Sequence, residues 1–191
     1  YGVMERTRLD RYVDTMQELL HQQHAQYETS KENAELVSEK YHDFKKMIDT
    51  VSEIGYECVE VACWPQGKAE RRYAGVSHID VDKVLADDEY AKHILDYSKE
   101  KNVEISSLAF YPNTMDGNLK KRAANIEHLY KVINASKKLG INLVTTFIGR
   151  DQTKTVEENL ELVKEIWIPI VYYAEEKKVR IAIENCPMLF D

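Results

Sequence analysis

The chain has 191 residues, 43% of them hydrophobic, enough to bury the core of a folded domain. Its formal net charge of −7 argues against a general affinity for nucleic acid, which clustered Lys and Arg provide, and leaves a small molecule as the expected partner. No apolar run approaches the ~20 residues of a membrane helix, and three cysteines without a Cys-x-x-Cys pair fit core thiols in a reducing, cytoplasmic compartment better than a disulfide framework.

In chain order, residues 1–40 read as a helical extension. Leu9, Tyr12, Val13, Met16, Leu19 and Leu20 recur at helical spacing. The polar stretch Gln22 to Asn33 that follows carries no strand signal. His21 and His24 lie three apart on this helix, a possible metal-ligand spacing. With no third ligand nearby they read as a solvated pair.

From residue 41 to residue 191 one unit repeats: a helical pattern, a Gly or polar break, then an apolar strand. Strands are expected at Glu57–Cys63, Val103–Phe110, Asn142–Ile148 and Val179–Glu184, starting about 40 residues apart, the length of one strand and helix. The stripe Phe44, Met47, Ile48, Val51 and Ile54 ends at Gly55. After the first strand comes a long loop with the solvated run Lys68–Arg72 and the segment Ser77-His78-Ile79-Asp80. A helix from about Glu89 to Lys101 breaks near Asn102. Ala123, Ile126, Leu129, Val132 and Ile133 mark another before Gly140, and both glycines suit the left-handed position past a helix end. The last helix, Val156 to Lys177, opens on the capping box Thr155 to Glu158. Pro169 inside it is expected to kink or split it, because proline supplies no amide hydrogen.

Strands rich in Val, Ile and Leu, each followed by a helix, call for a parallel sheet in an α/β fold. The choice lies between a (β/α)8 barrel and an open doubly wound sheet. No G-x-G-x-x-G or Walker A loop marks the open sheet. The expectation is a partial TIM barrel of about four βα units, since a whole one needs roughly 250 residues. Its exposed sheet edges would favour self-association.

Binding sites of parallel α/β proteins lie at the carboxyl ends of the strands. Those ends read Cys63-Trp64-Pro65, Phe110-Tyr111-Pro112-Asn113, Thr145-Thr146-Phe147-Ile148-Gly149-Arg150 and Glu184-Asn185-Cys186-Pro187. Rings, hydroxyls and amides suit a polyol, with Trp64 and Tyr111 as walls or, equally, as caps on the core. Arg150 offers a fork for a phosphate or carboxylate, or pairs with Asp151 or a neighbouring helix. His78 either serves the site or anchors its own loop. Glu184, directly after Ile-Ala-Ile, is poorly explained by packing. A divalent metal or a proton-transfer role would account for it, as would a bond to a loop amide or to Arg.

Val59-Glu60-Val61-Ala62-Cys63-Trp64-Pro65, the stretch Gly67 to Gly75, Ser77-His78-Ile79-Asp80, Tyr111-Pro112-Asn113, Thr146 to Asp151 and Ile181 to Met188 resemble the sugar phosphate isomerase/epimerase family. That family belongs to the xylose isomerase-like barrels, which also include apurinic-site endonucleases. The resemblance implies a divalent metal ion (Mn, Mg, Co or Zn) held by two Glu, an Asp and a His, and proton transfer through an enediolate on a sugar or sugar phosphate. By position Glu184 matches the first of those glutamates, as metal ligand and neighbour of the proton-transfer step, a catalytic residue, and Trp64, Tyr111 and Asn113 match the substrate wall. The remaining ligands of the family have no counterpart up to Asp191, and the chain opens on Tyr1 rather than Met. An N-terminal portion of such an enzyme, inactive alone, is therefore the expectation. The alternatives are an apurinic-site endonuclease relative, disfavoured by the acidic charge, and a non-catalytic half-barrel module for binding or assembly.

Overall fold

The computed structural model describes residues 15–27, 43–65 and 77–184. The chain divides between Glu39 and Lys40 into two compact units. In the first, residues 15–27 are helical and exposed throughout, including Met16, Leu19 and Leu20. His21 and His24 both face solvent, as expected. Leu9, Tyr12 and Val13 lie outside the described residues.

The second unit opens with helix α1, residues 43–54, which buries Phe44 and Ile48 completely. It stops at Gly55, whose φ of 89° is left-handed and cheap only for glycine. Strand β1 (Cys58–Ala62), helices α2 (Val81–Ala86) and α3 (Asp88–Glu100), strand β2 (Glu104–Phe110), helix α4 (Leu119–Leu139), strand β3 (Leu143–Thr146), helix α5 (Val156–Lys177) and strand β4 (Arg180–Ile183) follow. The strands form one sheet in the order β1-β2-β3-β4, all parallel, so each returns through a helical crossover to pair with the previous one. This is an α/β fold of successive βα units, a partial (β/α)8 barrel.

Caps fix the helices where the sequence places them. Asp80 accepts from the Lys83 amide at 3.0 Å to start α2, and Asp87 accepts from Glu89 and Tyr90 at 2.9 and 3.0 Å to start α3. Thr155 and Glu158 make both bonds of the capping box. Two expectations change. The loop holding His78 is shorter than the sequence implied, because the six-residue α2 follows directly on Asp80; one and a half turns leave too few positions for a periodic stripe. Pro169 does not split α5, which runs unbroken from Val156 to Lys177. Glu165, whose carbonyl loses its helical donor there, is exposed, so water can take that place.

The core lies between one face of the sheet and the helices. Val61, Cys63, Leu108, Phe110 and Val144 are fully buried there, with Ile94, Leu129, Val132, Ile133 and Ile170 from the helices. Cys58 corrects the reading of the cysteines as core thiols: at the first position of the outer strand β1 it is exposed, whereas Cys63 is buried. Cys186 lies outside the described residues, as does Lys68–Arg72.

A bulge interrupts the β1–β2 ladder. Val59 pairs with Ile105, but Glu60 pairs with Ser107, leaving Ser106 as the extra residue. The bulge sets Glu60 beside Ser107 on the other face of the sheet, where the site lies.

Candidate functional site

Glu60 sits in the middle of β1, half-buried among hydroxyls. Ser107 of β2 donates its hydroxyl to Oε2 at 2.9 Å, and Thr145 of β3 donates to the same oxygen. Tyr111, just past the end of β2, donates its phenol to Oε1 at 2.6 Å. Ser107 and Thr145 are almost fully buried. Three hydroxyls thus satisfy a carboxylate that packing alone would not tolerate.

The same phenol oxygen lies 2.7 Å from Oε1 of Glu184, which emerges at the carboxyl end of β4. The Glu184 backbone is tied to that edge by its amide bond to the Thr146 carbonyl, 2.9 Å. A phenol carries one hydrogen, yet both oxygen–oxygen contacts are of hydrogen-bond length. Glu60, Tyr111 and Glu184 therefore form a set one hydrogen short, complete when Glu184 brings a proton of its own or gives up the contact. Burial, followed by the bonds to Glu60 and Glu184, pushes the Tyr111 phenol well above the ordinary tyrosine range, so it stays an O–H. Its ring lies against Phe147, centroids 4.5 Å apart.

The other expected site residues are placed as follows. Trp64, half-buried after β1, tilts against the core ring of Phe110 at 6.5 Å. Asn113 braces two loops: Oδ1 accepts from the Met115 and Arg150 amides at 2.9 and 3.0 Å, and Nδ2 donates to the Arg150 carbonyl at 2.7 Å. Arg150 is half-buried and meets Asn113 through its backbone. Asp151, one of the partners considered for Arg150, meets Arg122 at 3.3 Å instead, and bonds from Thr153 hold its carboxyl below the usual range. His78 donates its amide to the Ala62 carbonyl at 3.0 Å, beside the Cys63–Ser77 bridge. The structure thus brings Tyr111 and Glu184 together, joins Asn113 to Arg150, and sets Trp64 and His78 at the end of β1.

Glu60 and Phe147 were not anticipated. The signal for Glu60 was an acid inside the apolar run Val59-Glu60-Val61-Ala62, the same signal that singled out Glu184. Beneath the site, His128 of α4 donates Nε2 to the Cys63 carbonyl at 2.9 Å and lies 4.9 Å from Phe110. Among the described residues no three His, Cys, Asp or Glu side chains gather to hold a metal ion. No described helix is long and apolar enough to cross a membrane.

A family model described as a xylose isomerase-like TIM barrel matches residues 48–191. Among solved structures, a putative xylose isomerase from Rhodospirillum rubrum superposes with a TM-score of 0.56 at 14% identity, over 78% of this chain and 51% of that one. A 3-keto-D-glucoside 4-epimerase from E. coli gives 0.55 at 10% identity, over 78% and 53%. A D-psicose 3-epimerase from Clostridium cellulolyticum H10, solved with D-tagatose, gives 0.52 at 15%, over 74% and 46%. At such identities the likeness is one of fold, and the chain spans about half the length of each. No curated protein sequence matches it.

Proposed function

The chain belongs to the xylose isomerase-like TIM barrel family, and on that premise we propose that it is part of an isomerase or epimerase acting on a sugar or sugar phosphate. The reaction moves a proton on and off the carbon beside a carbonyl, through an enediolate. One observation carries this reading: the Glu60–Tyr111–Glu184 set, reaching from the middle of β1 to the mouth at the end of β4, is one hydrogen short. Glu184 takes the C–H proton and becomes a carboxylic acid, which donates to the Tyr111 oxygen while the phenol donates to Glu60. Returning the proton to the neighbouring carbon, as the hydroxyl proton passes from one oxygen to the other, gives the isomer; epimerisation needs a second group that delivers a proton to the opposite face of the same carbon, and in either case no other reactant is consumed.

Tyr111 with Phe147, and Trp64 on the other side, form apolar walls for the C–H faces of the sugar. His78 and Arg150 contribute polar atoms for its hydroxyls or phosphate, and Asn113 braces the loop that carries Arg150. The divalent ion implied by the resemblance would polarise the carbonyl, with Glu184 as one ligand. The described residues do not fit a complete ion site: Glu184 stands alone at the mouth, and Glu60 is committed to three hydroxyls. On this reading the 191-residue stretch is an N-terminal portion of such an enzyme, inactive alone. Residues 1–40 are read as an N-terminal extension to the barrel portion, and the free thiols Cys58 and Cys63 suit the cytoplasm.

The test is deuterium wash-in. The protein in its full reading frame is incubated in heavy water with a divalent cation and a panel of aldoses, ketoses and their phosphates. Deuterium should appear at the carbon next to the carbonyl, and Glu184→Gln should abolish it. Absence of exchange across the panel would refute the reading.

A further inference from the structure

Glu60 lies in the middle of β1, below the strand ends, and the proposed proton transfer does not require it to touch substrate. Its Oε2 is held by Ser107 and Thr145 from two neighbouring strands, so this carboxylate is fixed by the sheet rather than by loops. Its Oε1 meets only the Tyr111 phenol among its hydrogen-bond partners given above. Glu184 is in the opposite situation: an exposed side chain past the end of β4, with rotamer freedom to lose. The phenol links the two. We infer that Glu60 is a positioning residue for Glu184, acting through the Tyr111 hydroxyl: the inner carboxylate takes the phenol hydrogen and so fixes the phenol oxygen, and that oxygen accepts from the outer carboxyl as Glu184 takes up its proton at the mouth. The inference rests on the reading of Glu184 as the proton-transferring group, and it adds a residue that the expected site did not contain.

Holding Glu184 in one rotamer removes an ordering cost at the moment of reaction. The effect therefore belongs in kcat more than in KM. A residue that merely supported β1 would act on stability and on both constants, by routes other than Tyr111.

The experiment follows the side-chain carboxyl carbon of Glu184 by NMR in carbon-13-labelled full-frame protein, assigned by its disappearance in Glu184→Gln, together with kcat and KM. Tyr111→Phe and Glu60→Ala should each shift that resonance. The double variant should shift it no further than Tyr111→Phe alone, since one route carries both effects. The kcat should fall on the order of tenfold in each, the scale of one lost hydrogen bond, with KM within about twofold. Glu60→Gln keeps an acceptor for the phenol and should recover most of the wild-type resonance and rate. Glu60→Met, of similar length without an acceptor, serves in place of Glu60→Ala if the latter does not fold. An unmoved Glu184 resonance in Tyr111→Phe, or a Glu60→Ala effect undiminished in the Tyr111→Phe background, overturns the inference. If no sugar is turned over, the isomerase reading fails while the resonance still decides the positioning role.

Discussion

A Cβ placed on Gly149 would fall 2.1 Å from Oδ1 of Asn113, which bonds the Met115 and Arg150 amides. Gly149 also has a φ of 86°. Both the backbone angle and the space are therefore reserved for glycine. Gly149→Ala should lose about 2 kcal/mol or more of stability, from left-handed strain plus displacement of the Asn113 amide. Urea unfolding measures it; a loss within experimental error would mean the Asn113 brace is soft. Asn113→Ala should also cost about 1 to 3 kcal/mol, because it strips the acceptor from the amides of Arg150 and of the fully buried Met115.

Thr145→Val keeps shape and removes one of the two donors to Glu60 Oε2. A loss of about 1 to 2 kcal/mol is expected, as for a hydrogen bond to a charged group. Urea denaturation at neutral pH should show it. In Glu60→Gln the same change should matter less, since the acceptor is no longer charged.

His128 makes stability depend on pH. Burial lowers its affinity for a proton below the ordinary value of 6.5, against the opposing pull of the Cys63 carbonyl and of Asp82 and Asp80; Lys131 acts with burial. Between the lowered folded value and 6.5 the unfolded chain binds more protons than the folded one, so stability falls as the pH drops through that window. The urea midpoint should be lower at about pH 5.5 than at about pH 7.5, and His128→Gln should flatten that difference.

The two described cysteines should separate by reactivity. Cys58 is exposed, whereas burial pushes the Cys63 thiol far up and closes access to it. In a Cys186→Ser background one thiol should react promptly in native protein and the second only on unfolding. Prompt reaction of both would show β1 opening far more readily than its buried contacts allow.

The 191-residue chain should bind Mn2+ or Co2+ weakly, without a stoichiometric break in a calorimetric titration, because among the described residues no three His, Cys, Asp or Glu side chains gather to hold an ion. A sharp one-to-one isotherm would contradict this.

Periodicity was enough to locate the strands, because apolar runs and helix stops are local signals. Strand bounds moved by one residue or two at most, and Gly55, Gly140 and the Thr155 box fell where the sequence put them. Contacts across the sheet were harder. Tyr111 and Glu184 were each legible as strand-end residues, but their 2.7 Å contact joins positions 73 apart and depends on how the sheet brings β2 and β4 together. Glu60 was hidden because its partners lie 47, 51 and 85 residues away. Alone, an acid in a short strand looks like a solvent-facing residue. Asn113 shows the converse: an amide at a strand end looks like a ligand group, and here its side chain is taken up by three backbone bonds.

The bulge at Val59 and Glu60 has a consequence for how the sheet forms. An unbroken β1–β2 ladder would continue from Val59–Ile105 to Glu60–Ser106, and would leave the inner carboxylate out of step with Ser107, Thr145 and Tyr111. Annealing the strands in that simpler alignment would trap an unsolvated charge, so the misregistered sheet is penalised by the very group the site needs. The extra residue Ser106 thus favours the alignment that brings Glu60 to its three hydroxyls.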